Sequence, residues 1–240
     1  MNQFFIVGAQ RSSTTWLYKM LNQHPEVKMA EPVRPEPKYF LSKNFDNKKE
    51  NYIKNYFYDT KPCITACGEK STSYIEYELA AKRISSMFPD AKIIMMLRNP
   101  IKRAISNYQF SFNNGLETRS ISEAILGKKP SPKLNSPIST DPFDYLNRGL
   151  YQNYIDMYEK YFSRSNILLL STENITNNVE ILQKAYKFLG VNDQFFPSEF
   201  NDYENASQEK INVPKEVIEY LENYYKKTNE YLSQHPSFNR

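Results

Sequence analysis

The sequence predicts an α/β protein, a single domain over residues 1–240 with a central parallel sheet and helices on both faces. Three observations carry this. Short runs dominated by apolar residues at Phe4–Val7, Ala91–Leu97 and Ile167–Leu170 have the composition of buried strands. Each of the three is followed by a polar turn and then by residues of helical period. Strands alternating with helices imply right-handed crossovers and a parallel sheet, and no internal repeat divides the chain.

The elements follow in order. After the Phe4–Val7 strand, Trp16, Leu17, Met20 and Leu21 recur at helical spacing, so a helix runs over Ser12–Leu21 and is closed by Pro25. Three prolines between Glu31 and Pro37 make that stretch extended and stiff. A polar, aromatic helix is expected near Asn51–Tyr58, a turn around Pro62–Gly68, and a helix over Tyr77–Phe88. Arg98-Asn99-Pro100 ends the second strand and opens a helix near Ile101. From Asn113 to Asn147 periodicity is lost, apart from a short helix near Ile121–Leu126, and the prolines at 130, 132, 137 and 142 mark a mobile loop. Helices are then expected over Gly149–Phe162, over Val179–Leu189 with a stop at Gly190, and over Lys215–Leu232.

Composition narrows the function classes. Forty per cent hydrophobic residues in 240 are enough for one sizeable core. A net charge of +4 suits an anionic ligand and is too small for wholesale nucleic-acid binding. No apolar run approaches a membrane span, and the strand at Phe4 leaves no room for a secretory leader, so the expectation is a cytoplasmic protein. Cys63 and Cys67, with no nearby His or second Cys pair, read as reduced thiols and not as a zinc site.

The first turn has the outline of a phosphate-binding loop at the carboxyl end of a strand. A nucleotide-hydrolase pattern laid on Gly8 would place Ser13 where its second Gly belongs and Thr14 where its Lys belongs, so that pattern fails. What stands instead is Arg11, then the hydroxyl residues Ser12, Ser13, Thr14 and Thr15, then Trp16. This set offers donors around an oxyanion without an obvious metal ligand set, or, more simply, a helix cap at Ser12 or Ser13. At the second strand end Arg98 is followed eight residues later by Ser106, a second anion site. Two anion sites fit a ligand with two phosphate-like ends.

These residues resemble the sulfotransferase family that uses 3′-phosphoadenosine-5′-phosphosulfate (PAPS), on its P-loop-like fold. The opening stretch is similar to the family's 5′-phosphosulfate loop, and Leu97–Tyr108 to its 3′-phosphate motif. Glu36-Pro37-Lys38-Tyr39-Phe40, Glu69-Lys70-Ser71-Thr72-Ser73-Tyr74 and Arg148-Gly149-Leu150-Tyr151 resemble the branch that includes heparan sulfate sulfotransferases and bacterial relatives. The resemblance implies PAPS as co-substrate, adenosine 3′,5′-bisphosphate (PAP) as product, and no required metal. It gives Arg11, Ser12, Ser13, Thr14, Thr15 and Trp16 to the phosphosulfate, Arg98 and Ser106 to the 3′-phosphate, and Lys210 either to that same phosphate or to a solvated loop.

It also implies Glu36 as base, with Glu31 as the local rival, and Lys70 with Arg11 against the charge developing on the leaving phosphate. Two positions depart from the family pattern: Arg11 where Lys is usual, and Ser13 where Gly is usual. A residue with a Cβ resists a positive φ, so Ser13 bears on the geometry of the loop. His24 is expected to be structural. The acceptor is expected to be a carbohydrate or a small metabolite bearing a hydroxyl or amine. A kinase of a related fold and a non-catalytic nucleotide-binding protein remain the alternatives, and oligomeric state is not encoded.

Overall fold

Phe4 and Ile6 lie on one side of their strand and Phe5 on the other, and this alternation arranges helices on both sides of the sheet. In the computed structural model, which describes residues 2–133, 140–175, 178–200 and 211–235, Phe4 and Ile6 share a buried cluster with Trp16, Leu17, Met20, Leu21, Ile181 and Leu182. Phe5 instead meets Phe40 edge-on at 5.3 Å and lies 5.9 Å from Phe88. Full burial of each such side chain contributes about 1.5–3 kcal/mol.

The strands are β1 (Asn2–Gly8), β2 (Val27–Met29), β3 (Ala66–Lys70), β4 (Lys92–Leu97) and β5 (Ile167–Ser171). All pair in parallel in the order β2-β3-β1-β4-β5, so β1 is central. The helices are α1 (Thr14–Asn22), α2 (Lys49–Phe57), α3 (Glu78–Met87), α4 (Pro100–Asn113), α5 (Ile121–Ile125), α6 (Tyr151–Glu159), α7 (Glu180–Leu189), α8 (Lys215–Tyr224) and α9 (Lys226–Ser233). Asn99 caps α4 by accepting from the N–H groups of Ile101 and Lys102, with Pro100 at the first helical position. Gly190 ends α7 with a φ of 74°.

Three expectations need correction. The segment read as a turn around Pro62–Gly68 runs into a fully buried strand at Ala66. Its composition hides this, because Gly68 lies under the Phe4 ring, where an added Cβ would come within 2.1 Å of a ring carbon. The short edge strand β2 also escapes the sequence pattern. The tail helix is two helices: Tyr225 leaves helical geometry at φ −96° and ψ 10°, and its hydroxyl donates to the Leu146 carbonyl at 2.7 Å.

The chain sorts into two compact units, residues 1–97 with 154–203, and residues 98–153 with 204–240. The first holds the sheet. In the second, Ala104 and Tyr108 of α4 pack with Ile121, Ile125, Tyr145, Val217, Leu221 and Tyr225. The described parts of the segment expected to be a loose loop are tied down within this unit. Asn107 and Ser111 both donate to the Pro142 carbonyl, at 3.0 and 2.9 Å, Arg103 donates to the Tyr145 carbonyl, and Arg119 pairs with Glu117 at 2.7 Å.

Candidate active site

β1 pairs with β3 on one side and β4 on the other, so the carboxyl end of β1 is a topological switch point. The register sets Ile6 opposite Lys70 and Gly8 opposite Met95, with a slip against β4 between Ile6 and Gly8. The loop that follows Gly8 therefore begins between two neighbouring strand ends. Gly8 is confined there by packing, since an added Cβ would stand 2.6 Å from the Ile75 side chain.

Within the loop Arg11 has φ 66° and Ser13 φ 56°, both left-handed. Ser13 thus adopts the conformation that Gly favours, at the steric cost of its Cβ. It occupies the N-cap position of α1, one of the two positions that the simpler reading named, without making a side-chain cap bond. Ser12 is fully buried, and its hydroxyl has no hydrogen-bond partner among the described residues. Thr14 is buried, Thr15 half-buried, and Trp16 packs edge-on against Phe200 at 6.1 Å. A left-handed loop leading into a helix N-terminus, with a buried hydroxyl to spare, is suited to hold an anion.

At the end of the adjacent strand Lys70 Nζ donates to Glu36 Oε1 at 2.5 Å, with the side chains 3% and 15% exposed. Thr72 completes the grip on Glu36: its N–H donates to Oε2 at 2.9 Å, and its hydroxyl lies 2.9 and 3.0 Å from the two oxygens. The alternate residues, Glu69 and Ser71, turn the other way. Glu69 is wholly buried and accepts from Tyr52 at 2.8 Å, Ser71 at 2.6 Å and Tyr74 at 2.5 Å. Burial holds its carboxyl above the usual range, although the three hydroxyls pull it back down.

Sequence reasoning paired Glu36 with Lys70 in function and missed both Thr72 and the Glu69 cluster. The signal was the period of two carried past the strand end, which sets Lys70 and Thr72 on one side and Glu69 and Ser71 on the other. His24 is structural: Nδ1 accepts from the Glu26 N–H at 3.1 Å, so Nε2 carries the proton and donates to the Asn192 carbonyl at 2.9 Å. The ring lies against Tyr186 and Phe195.

Arg98 directly follows β4 and Ser106 lies in α4. Both are half-buried and both belong to the second unit, whereas Arg11, Glu36 and Lys70 belong to the first. Lys210 lies outside the described residues. Neither Cys63 nor Cys67 is in a disulfide, and burial raises the pKa of Cys67. Among the described residues no helix is long and apolar enough to cross a membrane.

A parallel sheet whose central strand delivers a left-handed loop into a helix N-terminus, suited to an anion, defines the P-loop-like α/β class. The sulfotransferase domain model matches residues 1–211. The chain therefore belongs to the sulfotransferase family, enzymes of sulfuryl transfer. It is 31% identical over 209 residues to the bifunctional heparan sulfate N-deacetylase/N-sulfotransferase 4 of Mus musculus, a match over 82% of this chain and 23% of that protein. The chain spans 20–23% of the length of the curated relatives it matches. Among solved structures, a sulfotransferase from Alicyclobacillus acidocaldarius superposes with a TM-score of 0.77 at 24% identity, over 100% of this chain and 99% of the other. A mouse sulfotransferase complexed with PAP gives 0.50 at 17% identity, over 97% and 84%. These two likenesses concern the fold.

Proposed function

We propose that residues 1–240 act as one catalytic domain that moves the sulfuryl group of PAPS to an amine or hydroxyl of a carbohydrate. The observation that carries this reading is the contact of Glu36 with Lys70 at the strand end beside the Arg11–Thr15 loop. The loop fits the phosphosulfate, because two left-handed residues, a helix N-terminus and the spare Ser12 hydroxyl offer several donors to one anion. Arg11 adds a guanidinium fork. Arg98 and Ser106 take the 3′-phosphate by resemblance to the family motif. The names of the relatives, heparan sulfate N-sulfotransferases, favour a sugar amine as acceptor. A cytoplasmic setting, which suits two cysteines held in no disulfide, and independence of metal are parts of the same reading.

In the reaction the acceptor nitrogen or oxygen attacks sulfur in line, the bond from sulfur to the bridging phosphate oxygen breaks, and PAP leaves with that electron pair. Glu36 takes the acceptor proton, and Lys70 and Arg11 offset the charge that develops on the departing phosphate.

The test offers PAPS and N-desulfated heparin, with EDTA present, and reads PAP release and mass gain on the glycan. Glu36→Gln is expected to abolish transfer while calorimetric affinity for PAP stays nearly unchanged. An active mutant would remove Glu36 from the mechanism. Arg98→Ala is expected to weaken PAP binding by about 2–3 kcal/mol, the value of a lost charge-assisted contact. Unchanged affinity would withdraw Arg98 from the 3′-phosphate.

A further inference from the structure

Glu69 does not touch Glu36, yet two hydroxyls that it binds lead to the segment that presents Glu36. Ser71 donates to Glu69 Oε1 at 2.6 Å and accepts the Lys38 N–H at 2.9 Å. Tyr74 donates to the same oxygen at 2.5 Å and accepts the Phe40 N–H at 3.0 Å. Each hydroxyl is thus oriented by the carboxylate so that its lone pairs face the backbone of residues 38–40. Tyr52 of α2 donates to the other oxygen at 2.8 Å and fixes the carboxylate from behind.

The segment needs such fastening. Lys38 has a φ of 49° and opens a short 3-10 turn over Tyr39–Leu41. A non-glycine residue there is strained and persists only where its surroundings hold it. Glu36 stands two residues before, behind Pro37, so the position of its carboxylate follows that of the turn.

We propose that Glu69 is a positioning residue for the reaction: through Ser71 and Tyr74 it anchors the 38–40 turn and so holds Glu36 against Lys70 and Thr72. The inference rests on reading Glu36 as the base. Because the strand alternates, β3 supplies both halves of the device: Lys70 reaches Glu36 from one side while Glu69 fastens Glu36's segment from the other.

The experiment compares the full chain with Ser71→Ala and Tyr74→Phe, each of which removes only a hydroxyl, with the double variant, which removes both, and with Glu36→Gln. Amide hydrogen exchange at Lys38 and Phe40 and single-turnover PAP release, with PAPS and N-desulfated heparin as the probes, are read together. The double variant is expected to speed exchange at those two amides by about tenfold or more, with β1 and β4 unchanged. It is also expected to lower the rate of PAP release by about tenfold to a hundredfold without a change in PAPS affinity, since a small misplacement of a reacting group costs that much. A general loss of structure would instead raise exchange across the sheet and weaken PAPS binding, and that result overturns the proposal. Unchanged exchange at Lys38 and Phe40 overturns it too. Wild-type turnover in the double variant, with Glu36→Gln inactive, overturns the positioning role while the base assignment stands. Full activity in Glu36→Gln sinks the base assignment and the positioning role with it, and the exchange data then report only whether the turn is anchored.

Discussion

Glu69, in the sheet-bearing unit, and Glu117, in the unit built on α4, are both closed off from solvent, 0% and 3% exposed, with Glu69 the more deeply enclosed. Their partners differ in charge. Three neutral hydroxyls surround Glu69, and burial leaves its carboxyl easier to protonate than usual. Burial also pushes Glu117 upward, but the Arg119 guanidinium and backbone N–H, with the Tyr145 hydroxyl, outweigh it and leave the carboxyl below its ordinary range. Loss of solvent contact therefore does not by itself fix the sign of a carboxylate's effect. The charge of what it touches and the depth of protein around it set it together.

The sharpest test of that contrast removes the cation. Arg119→Met would leave Glu117 buried without its counter-charge and should cost about 3–5 kcal/mol in urea unfolding. Glu69→Gln comes next. It places one amide donor among hydroxyls that can rotate, so the expected loss is about 1–2 kcal/mol. If Glu69→Gln proves the costlier of the two, the contrast is wrong.

Acidity gives opposite signs. The folded pKa of Glu69 lies above the unfolded value of about 4.3, so its favourable share is full below that value and is lost as pH rises through the folded one. The folded pKa of Glu117 lies below, so its share is present above about 4.3 and is lost as pH falls through the folded value. Relative to wild type, Glu69→Gln should become progressively less harmful as pH rises, and Glu117→Gln progressively more harmful. Parallel trends in urea midpoints from pH 3 to about 8 would contradict this. The smallest effect sets the scale: Ser13→Gly, which relieves a left-handed serine outside both clusters, should stabilise by up to about 1 kcal/mol by the same measurement.

Much of the first unit is legible in the sequence because β1, β4 and β5 are apolar runs that need no context. β3 is not, since its buried residues are Ala-Cys-Gly-Glu-Lys. The Gly answers to the Phe4 ring, and the Glu is tolerated only because Tyr52 of α2 and, just past the strand, Ser71 and Tyr74 supply hydroxyls. The second unit is less legible for a similar reason. Its long irregular segment is held by buried Arg103, Arg119 and Arg148, which read as surface residues until their partners are known. In the site, Glu36 and Lys70 are legible through family resemblance, whereas alternation past the end of β3 sets Thr72 beside Lys70 but does not say that the Glu36 segment comes to meet it.

The strand at the centre of the sheet is the first in chain order, and its two neighbours begin only at residues 66 and 92. During synthesis Phe4, Phe5, Ile6 and Val7 therefore leave the ribosome long before either flank exists to cover them. The nascent chain must carry a sticky, unpaired segment until residues 66–70 and 92–97 have followed it, so its yield in a cell should depend on chaperone supply more than that of a protein with locally paired strands would.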